Sequence, residues 1–332
     1  MAPLKFLARF GIDGFLLGLA SMVVLAVLFP DIGKTDGLIH LDVFTNYGVS
    51  VVFLLYGLTL SADRLKAGLL NWRLHVLTQA STFVLFPLLV WGVGWLAGSA
   101  LSNDLKLGFF YLAASPSTIS SSVAMTSIAQ GNVAGAIFNA SLSSLIGVLA
   151  TPLWVDWYLS TSGQSLDLGH VIIKILILVV SPIVVGQALR PLLWGWLSKR
   201  LGLVKFLDRA TILMIVFNSF ADSIAEGVWQ GKGMQTVLIV GGLSLVLFFL
   251  VMGILQLVCR ALGFTREDRV AGLFCGTKKS LAAGVPMAKV MFGATPTLGV
   301  VIAPIMVYHF LQLVAASMIA RRWGEQARHG KI

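Results

Sequence analysis

Charged residues are scarce in this sequence, and their scarcity decides its class. They make up 11% of the 332 residues, whereas 57% are hydrophobic. A soluble domain carries about 25% charged residues, so a soluble fold is excluded. We predict a single all-α polytopic membrane protein over residues 1–332, with the lipid bilayer as its main partner. At about 20 residues per crossing, this length corresponds to roughly ten helices.

Cysteines and catalytic motifs are also few. The two cysteines, Cys259 and Cys275, lie in apolar runs, which is more typical of packing residues than of a disulfide or a metal site. The sequence contains no HExxH zinc motif, no nucleophile elbow and no catalytic pair of acids. We therefore expect a protein without a metal and without enzymatic activity.

Acidic residues are outnumbered by basic ones, 14 to 24, which leaves a net charge of +10. Such an excess can indicate nucleic-acid binding, but here the basic residues follow a membrane topology. With both termini in the cytoplasm, 17 of them lie on the cytoplasmic side, 5 lie outside, and Lys278 and Lys279 remain. The positive-inside rule favours this orientation. We expect no nucleic-acid partner, and we expect a multi-pass protein of a bacterial inner (plasma) membrane.

Ten apolar runs are the predicted spans. The first follows Lys5 and Arg9 as a signal peptide would, but its length favours a membrane span. The runs lie at about 14–30, 43–60, 74–97, 107–130, 133–159, 171–190, 210–228, 235–262, 270–291 and 297–319.

Ten spans divide into two halves of five, and an odd number per half gives the halves opposite orientations. Such inverted repeats are common in secondary transporters. The predicted repeats cover about 10–160 and about 168–322. Aligning SSVAMT (121–126) with AGVPMA (283–288) gives an offset of 162 residues, which places Ser115 on Thr277 and Ser117 on Lys279.

The fourth and ninth spans contain the residues expected to break a helix. Span 4 has Pro116 among six serines and threonines at 115–122, and span 9 has Gly276, Gly284 and Pro286. Proline removes a backbone donor, and nearby hydroxyls can satisfy the released groups. Broken helices in corresponding positions predict a transport site, and their half-helix N-termini suit an anion. The alternative is that these small residues only allow close helix packing.

The adjacent lysines of span 9 are the most unusual feature of the sequence. Lys278 and Lys279 stand in GTKKSLAAG (276–284), surrounded by apolar sequence. A charge at the bilayer centre costs roughly 2.5–3.5 kcal/mol on insertion scales, so function is a better explanation than packing. The alternative is that both lysines extend to the cytoplasmic interface.

Few acids are available to balance these lysines. Asp222 is the most deeply placed, on one helix face with Asn218 and Glu226. It is a possible counter-charge, or else a structural partner for a lysine or a serine cluster. Further buried polar candidates are Asn139, His309 and Gln312.

Four stretches resemble the bile acid:sodium symporter superfamily, closest to its divergent sodium/bile acid cotransporter seven-like branch. They are NWRLHVLTQASTFVLFPLL (71–89), SIAQGNVAGAIFNASLSSLIG (127–147), FCGTKKSLAAGVPMA (274–288) and MVYHFLQL (306–313). The similarity covers most of the chain. It implies ten helices in inverted five-helix halves, with a core domain containing crossed, broken fourth and ninth helices. A panel of helices 1, 2, 6 and 7 lies beside that core, and organic anions enter with sodium by elevator-like alternating access.

The sodium ligands of that family are not intact in this sequence. Its ninth helix offers an acid and, four positions on, a glutamine, where this chain has Thr277 and Leu281. Its fourth helix offers a Ser-Asn pair, for which the nearest matches are Ser122-Val123 and Ser121-Ser122. Its two fifth-helix hydroxyls fall on Ala136 and Ala140, beside Asn139 and Ser141. A hard cation needs several oxygen ligands, so this set is poorly suited to sodium.

We predict a symporter-like secondary transporter of a small organic anion. Lys278 or Lys279 would supply the positive charge that sodium supplies in the family, or would pair with the substrate. A buried lysine can also titrate, so Na+ and H+ both stay open as coupling ions, as do the solute and the oligomeric state. The alternative function is a non-transporting regulator of ion (calcium) homeostasis. The predicted binding residues are Ser117, Thr118, Ser121, Ser122, Asn139, Ser141, Thr277, Lys278, Lys279, Ser280, His309 and Gln312.

Overall fold

The computed structural model describes residues 14–59, 70–96, 98, 101–161, 168–227, 230, 234–293 and 295–328, and every regular element in these ranges is helical. The helices of the first half are α1 (Gly14–Leu28), α2 (Pro30–Gly33), α3 (Leu41–Thr59), α4 (Trp72–Leu96, with a π turn at Ser81–Leu85), α5 (Asn103–Ala114), α6 (Ile119–Ile128) and α7 (Val133–Thr161). Those of the second half are α8 (Leu168–Ile175, a π turn at Leu176–Val180, then Ser181–Leu197), α9 (Leu201–Ala225), α10 (Met234–Ala261), α11 (Arg266–Gly276), α12 (Leu281–Phe292) and α13 (Leu298–Arg328).

Six stretches in the described ranges are long and apolar enough to cross a membrane: Leu41–Thr59, Trp72–Leu96, Val133–Thr161, Gly169–Ala225, Gln235–Ala261 and Leu298–Arg328. Two shorter helices, α1 and α6, are also apolar. The chain is therefore a multi-pass helical membrane protein. Six of the basic residues counted for topology lie outside the described residues: Lys5, Arg9, Arg64, Lys66, Lys232 and Lys331.

The helices pack as two groups. In one, α3 packs against α8 and α9, and α1 packs against α9. In the other, α13 packs against α5 and α10, while α6 packs against α7 and α11. Within the second group, two pairs of short helices meet around buried polar residues, among them Ser117, Lys278 and Lys279.

The first of these pairs is α5 and α6, separated by Ser115–Thr118. Pro116 has no N–H to continue the helix, and Ser115 ends α5 in an extended conformation with φ −71° and ψ 150°. Gly147 of α7 provides the space for the break, since a Cβ on Gly147 would lie 2.7 Å from the Cβ of Pro116. The chain is thus interrupted where the sequence predicts.

The second pair is α11 and α12, separated by Thr277–Ser280. Gly276 is the last residue of α11, whereas Gly284 and Pro286 lie inside α12. The expectation that Gly284 and Pro286 contribute to the break is therefore wrong. Tertiary hydrogen bonds hold Thr277–Ser280 out of the helix instead, beginning with the Ser280 N–H, which donates to the Pro116 carbonyl at 2.8 Å.

Candidate functional site

The two helix breaks lie against each other in the protein interior. Besides the bond from Ser280 to Pro116, the Ser117 hydroxyl donates to the Cys275 carbonyl at 2.6 Å. The Ser122 hydroxyl donates to the Phe274 carbonyl at 3.1 Å. Each bond links residues more than 150 positions apart. The breaks therefore form one hydrogen-bonded unit, and each supplies partners to the backbone of the other.

Hydroxyl groups from other helices complete the C-terminal end of α11. The last carbonyls of a helix have no intrahelical donor and need partners when buried. Ser117 and Ser122 supply two of these partners, and the Ser81 hydroxyl donates to the Gly276 carbonyl at 2.8 Å. The Tyr308 hydroxyl donates to the Thr277 carbonyl at 2.7 Å. Ser117 and Ser122 are thus occupied in supporting the break.

Lys279 completes the C-terminal end of α5 in the same way, but with a cation. Its Nζ donates to the carbonyls of Ala113 at 2.6 Å, Ser115 at 2.9 Å and Thr82 at 2.9 Å. It also lies 4.2 Å from the centre of the Phe86 ring. An ammonium has three donors, so all three are matched, and the charge lies at the negative end of a helix dipole.

The local sequence explains why the Thr82 carbonyl is available to Lys279. In the π turn of α4, the Phe86 N–H donates to Ser81 and not to Thr82. The next residue, Pro87, has no N–H to donate. The Thr82 carbonyl therefore lacks its helical donor and accepts from the lysine.

Gln312 and His309 position Lys279 through its backbone. The Lys279 N–H donates to Gln312 Oε1 at 2.8 Å, and Gln312 Nε2 donates to the Lys279 carbonyl at 2.7 Å. His309 Nδ1 lies 3.3 Å from the same carbonyl. Gln312 thus makes the two hydrogen bonds of a strand partner, which keep the backbone extended at Lys279.

Lys278 is held differently. Its Nζ donates to the Ser121 carbonyl at 2.8 Å and lies 5.6 Å from the centre of the Phe274 ring. Lys278 and Lys279 are both 0% exposed, so neither extends to the interface as the alternative interpretation required. Among the described residues, the one ion pair joins Lys34 to Asp31. Backbone carbonyls and aromatic rings therefore stabilise both lysines.

A cavity of about 440 Å³ lies between the two helix groups and contains the N-terminal ends of α6 and α12 in its wall. Thr118 makes no side-chain cap at α6, so the first N–H groups of that helix have no side-chain acceptor. The Ser280 hydroxyl accepts from the Ala283 N–H at 3.2 Å and caps α12. Two helix N-termini with adjacent hydroxyls form a favourable site for an anion.

Three predicted binding residues line this cavity: Thr118, Ser141 and Ser280. The other predicted binding residues surround the contact between the two helix breaks. They include Ser121, Thr277 and Asn139. The backbone carbonyl of Asn139 accepts from Gln79 Nε2 at 3.0 Å, and Asn139 Nδ2 donates to the Gly135 carbonyl at 2.9 Å. The predicted set therefore contains a cavity-lining part and a larger supporting part.

Several cavity residues were not predicted from the sequence. The opposite wall comes from α3, α8 and α9, and it carries Tyr56, Trp194, Lys205 and Asp208. No local motif distinguishes these residues, because their common position depends on packing between distant helices. Ser144 could have been found, since it lies one turn after Ser141 on the same face of α7.

Asp222 lies in a different cluster from the paired lysines. Its carboxylate accepts from the Thr35 N–H at 2.6 Å and from the Thr35 hydroxyl at 2.9 Å. It therefore does not act as a counter-charge to Lys278 or Lys279 in this structure. The contacts favour the other interpretation, a structural partner.

A multi-pass helical protein with two hydrogen-bonded helix breaks beside a cavity has the construction of a secondary transporter. Two of the relatives described below are named as a symporter and a cotransporter. The chain belongs to the SBF-like CPA transporter family (DUF4137), whose model matches residues 13–325.

Curated relatives match over nearly their whole length. The chain is 35% identical over 315 residues to "Putative symporter YfeH" of Escherichia coli, covering 95% of this chain and 94% of the relative. It is 36% identical over 318 residues to "Uncharacterized protein PA2026" of Pseudomonas aeruginosa, covering 96% and 95%. It is 30% identical over 316 residues to "Sodium/bile acid cotransporter 7" of Danio rerio, covering 94% of each.

Proposed function

We propose that this protein is a secondary active transporter that moves a small organic anion across a bacterial inner membrane by alternating access. The observation that carries the proposal is the hydrogen-bonded contact between the two breaks, with the N-termini of α6 and α12 in the wall of one cavity. The cavity wall is mostly apolar elsewhere, with residues such as Val52, Phe53 and Ile183. An anion with a carboxylate or sulfonate group on an apolar body matches both the helix N-termini and the apolar wall of the cavity.

The proposed architecture has ten crossings in two inverted five-helix repeats. The helix boundaries support it, because the offset of 162 residues found in the sequence carries the end of α5 at Ala114 onto the end of α11 at Gly276. The same offset carries the start of α6 at Ile119 onto the start of α12 at Leu281. In this arrangement α1, α3, α8 and α9 form the panel, the other spans form the moving core, and both termini are cytoplasmic.

The position of Lys279 indicates which ion is coupled to transport. Its ammonium makes three contacts of 2.6–2.9 Å with carbonyl oxygens, the kind of ligand that a hard cation also prefers. We propose that this tethered charge takes the place of a bound sodium ion. Sodium coupling is then unnecessary, and proton coupling becomes the expected mode.

Purified protein can test this function even while the solute is unidentified. A panel of organic carboxylates and sulfonates is added to the protein in NaCl and in N-methylglucamine chloride, and the melting temperature is recorded. At least one anion should raise it equally in both salts, and that anion should enter proteoliposomes containing the native protein. Lys279→Ala, inserted normally, should abolish this uptake.

Two results would contradict the proposal. The first is unchanged uptake by Lys279→Ala. The second is the absence of any solute flux together with altered cellular calcium in a deletion strain, which would favour a non-transporting regulator of ion homeostasis.

A further inference from the structure

Helix α9 contacts the cavity near its N-terminus and a second polar cluster near its C-terminus. Leu201, Val204, Lys205 and Asp208 line the cavity, and exposed Leu201 and Lys205 bring the cavity to the protein surface. Asn218 lies thirteen residues after Lys205, which is about 20 Å along a helix. The two ends of α9 therefore have different environments, one beside an open cavity and one buried.

At the buried end, α9 is hydrogen-bonded directly to the other helix group. Lys289, in the last turn of α12, donates from Nζ to Asn218 Oδ1 at 2.9 Å. The Ser223 hydroxyl donates to the Pro296 carbonyl and accepts from the Gly299 N–H. Lys289 is 4% exposed and Asn218 is 0% exposed, so these contacts exclude water from this end of the interface.

Hydrogen bonds to Gly33, the last residue of α2, and from Thr35 just after it hold the residues that α9 contributes to this cluster. Asn218 Nδ2 donates to the Gly33 carbonyl at 2.9 Å, while both oxygens of Asp222 accept from Thr35. Asp222, one turn after Asn218 on α9, brings a carboxylate to the same cluster, since both residues contact Thr35. Lys289 is the only charged side chain of α12. On the opposite helix group it faces the amide of Asn218 and the carboxylate of Asp222, which are already hydrogen-bonded to Gly33 and Thr35.

We propose that Lys289, with its acceptor Asn218, is the gate that closes the outer end of the transport path. This inference depends on the proposed function for the relative movement of the two helix groups. In the proposed orientation, Lys205 is cytoplasmic and Lys289 lies near the outer surface, so the structure represents an inward-facing state. Access from outside requires the bond between Lys289 and Asn218 to break. Because α12 begins at the cavity and has Lys289 in its last turn, a change at one end of this helix reaches the other directly.

Cysteine accessibility measures the gate without a substrate. Cys259 and Cys275 are both buried, and replacing both with alanine gives a background for Val52→Cys, a reporter in the cavity wall. A membrane-impermeant methanethiosulfonate is added to intact cells or to inverted vesicles. With Lys289 and Asn218 unchanged, we expect Val52→Cys to be labelled mainly from the cytoplasmic side.

Lys289→Met should raise the rate of labelling from outside by about tenfold, the size expected for losing one hydrogen bond to a charged group. Asn218→Ala should act in the same direction. Asn218→Asp should lower the outside rate, because it supplies a full charge to the ammonium. Lys106→Met is the matched control, since Lys106 donates to the Gly98 carbonyl within its own connection and should leave the rate unchanged.

The possible failures are distinct. If Lys289→Met, Asn218→Ala and Lys106→Met all label from outside within twofold of the background, while the background still labels from inside, the gate is wrong and the transporter proposal stands. If the background labels equally from both sides, alternating access itself is wrong. Should Lys289→Met be absent from the membrane, the opposite shifts expected for Asn218→Ala and Asn218→Asp decide the question.

Discussion

At the scale of single residues, Lys279 shows how a charge can be stable inside a membrane protein. Insertion scales assign a central lysine a cost of roughly 2.5–3.5 kcal/mol, and each hydrogen bond to a charged group contributes about 1.5–3 kcal/mol. With three carbonyl acceptors, Lys279 can offset its desolvation. The lysine in turn satisfies three carbonyls that would otherwise be buried without donors.

This geometry predicts that a sodium ion can occupy the position of the Lys279 ammonium once the lysine side chain has been removed. Lys279→Ser removes the ammonium and leaves the Thr82, Ala113 and Ser115 carbonyls around a space of cation size. We expect the variant to melt several degrees below the native protein in N-methylglucamine chloride and to recover part of that loss in NaCl. The native protein, whose site is already filled by its own amine, should melt at the same temperature in both salts. Equal melting temperatures for Lys279→Ser in the two salts would contradict the proposed substitution of a cation by lysine.

At the scale of elements, the two breaks depend on contacts with other helices. Proline and hydroxyls interrupt the first break locally, whereas the second is maintained by Pro116, Gln312 and Tyr308 from elsewhere in the chain. A break of this kind is stable only if neighbouring helices leave room for it. Gly147 of α7 provides that room beside Pro116.

Gly147→Val should therefore disturb the first break. Its Cβ would lie 2.7 Å from the Cβ of Pro116, and overpacking of this kind costs about 1–3 kcal/mol. We expect a lower melting temperature and loss of anion binding. Gly253→Val is the control, because Gly253 is also within a long helix, α10, but has no atom within 4 Å of an added Cβ. Similar effects of the two substitutions on stability would show that Gly147 has no special role.

At the scale of the whole molecule, the orientation in the membrane can be tested with two exposed leucines. Leu38, between α2 and α3, is 80% exposed, and Leu70, before α4, is 96% exposed. The positive-inside rule places the segment before α4 in the cytoplasm and the segment before α3 outside. In the cysteine-free background, Leu38→Cys should react with an impermeant reagent on intact cells, and Leu70→Cys should react only in inverted vesicles. The reverse pattern would invert the proposed gate as well as the topology.

Much of the fold could be predicted from local chemistry. The apolar runs and the interruption at Pro116 are visible in the sequence, because each depends on residues a few positions apart. The site was predicted less completely. Thr118, Ser141 and Ser280 line the cavity, but Tyr56, Lys205 and Asp208 on its opposite wall were missed. They carry no local signal, since they meet the broken helices only through packing.

Composition and local chemistry were enough to establish that this protein is helical, lies in a membrane and is interrupted at Pro116. The second interruption, at Thr277–Ser280, depends on tertiary hydrogen bonds. Hydropathy and the missing N–H of proline act over a few residues or over the whole chain, and neither depends on which helices meet. The roles of the lysines, in contrast, became visible only in the folded chain. The acceptors of Lys279 come from Thr82, Ala113 and Ser115, and the acceptor of Lys289 comes from Asn218. A buried cation takes its role from the nearest oxygen atoms, and here these are supplied by residues 71–197 positions away.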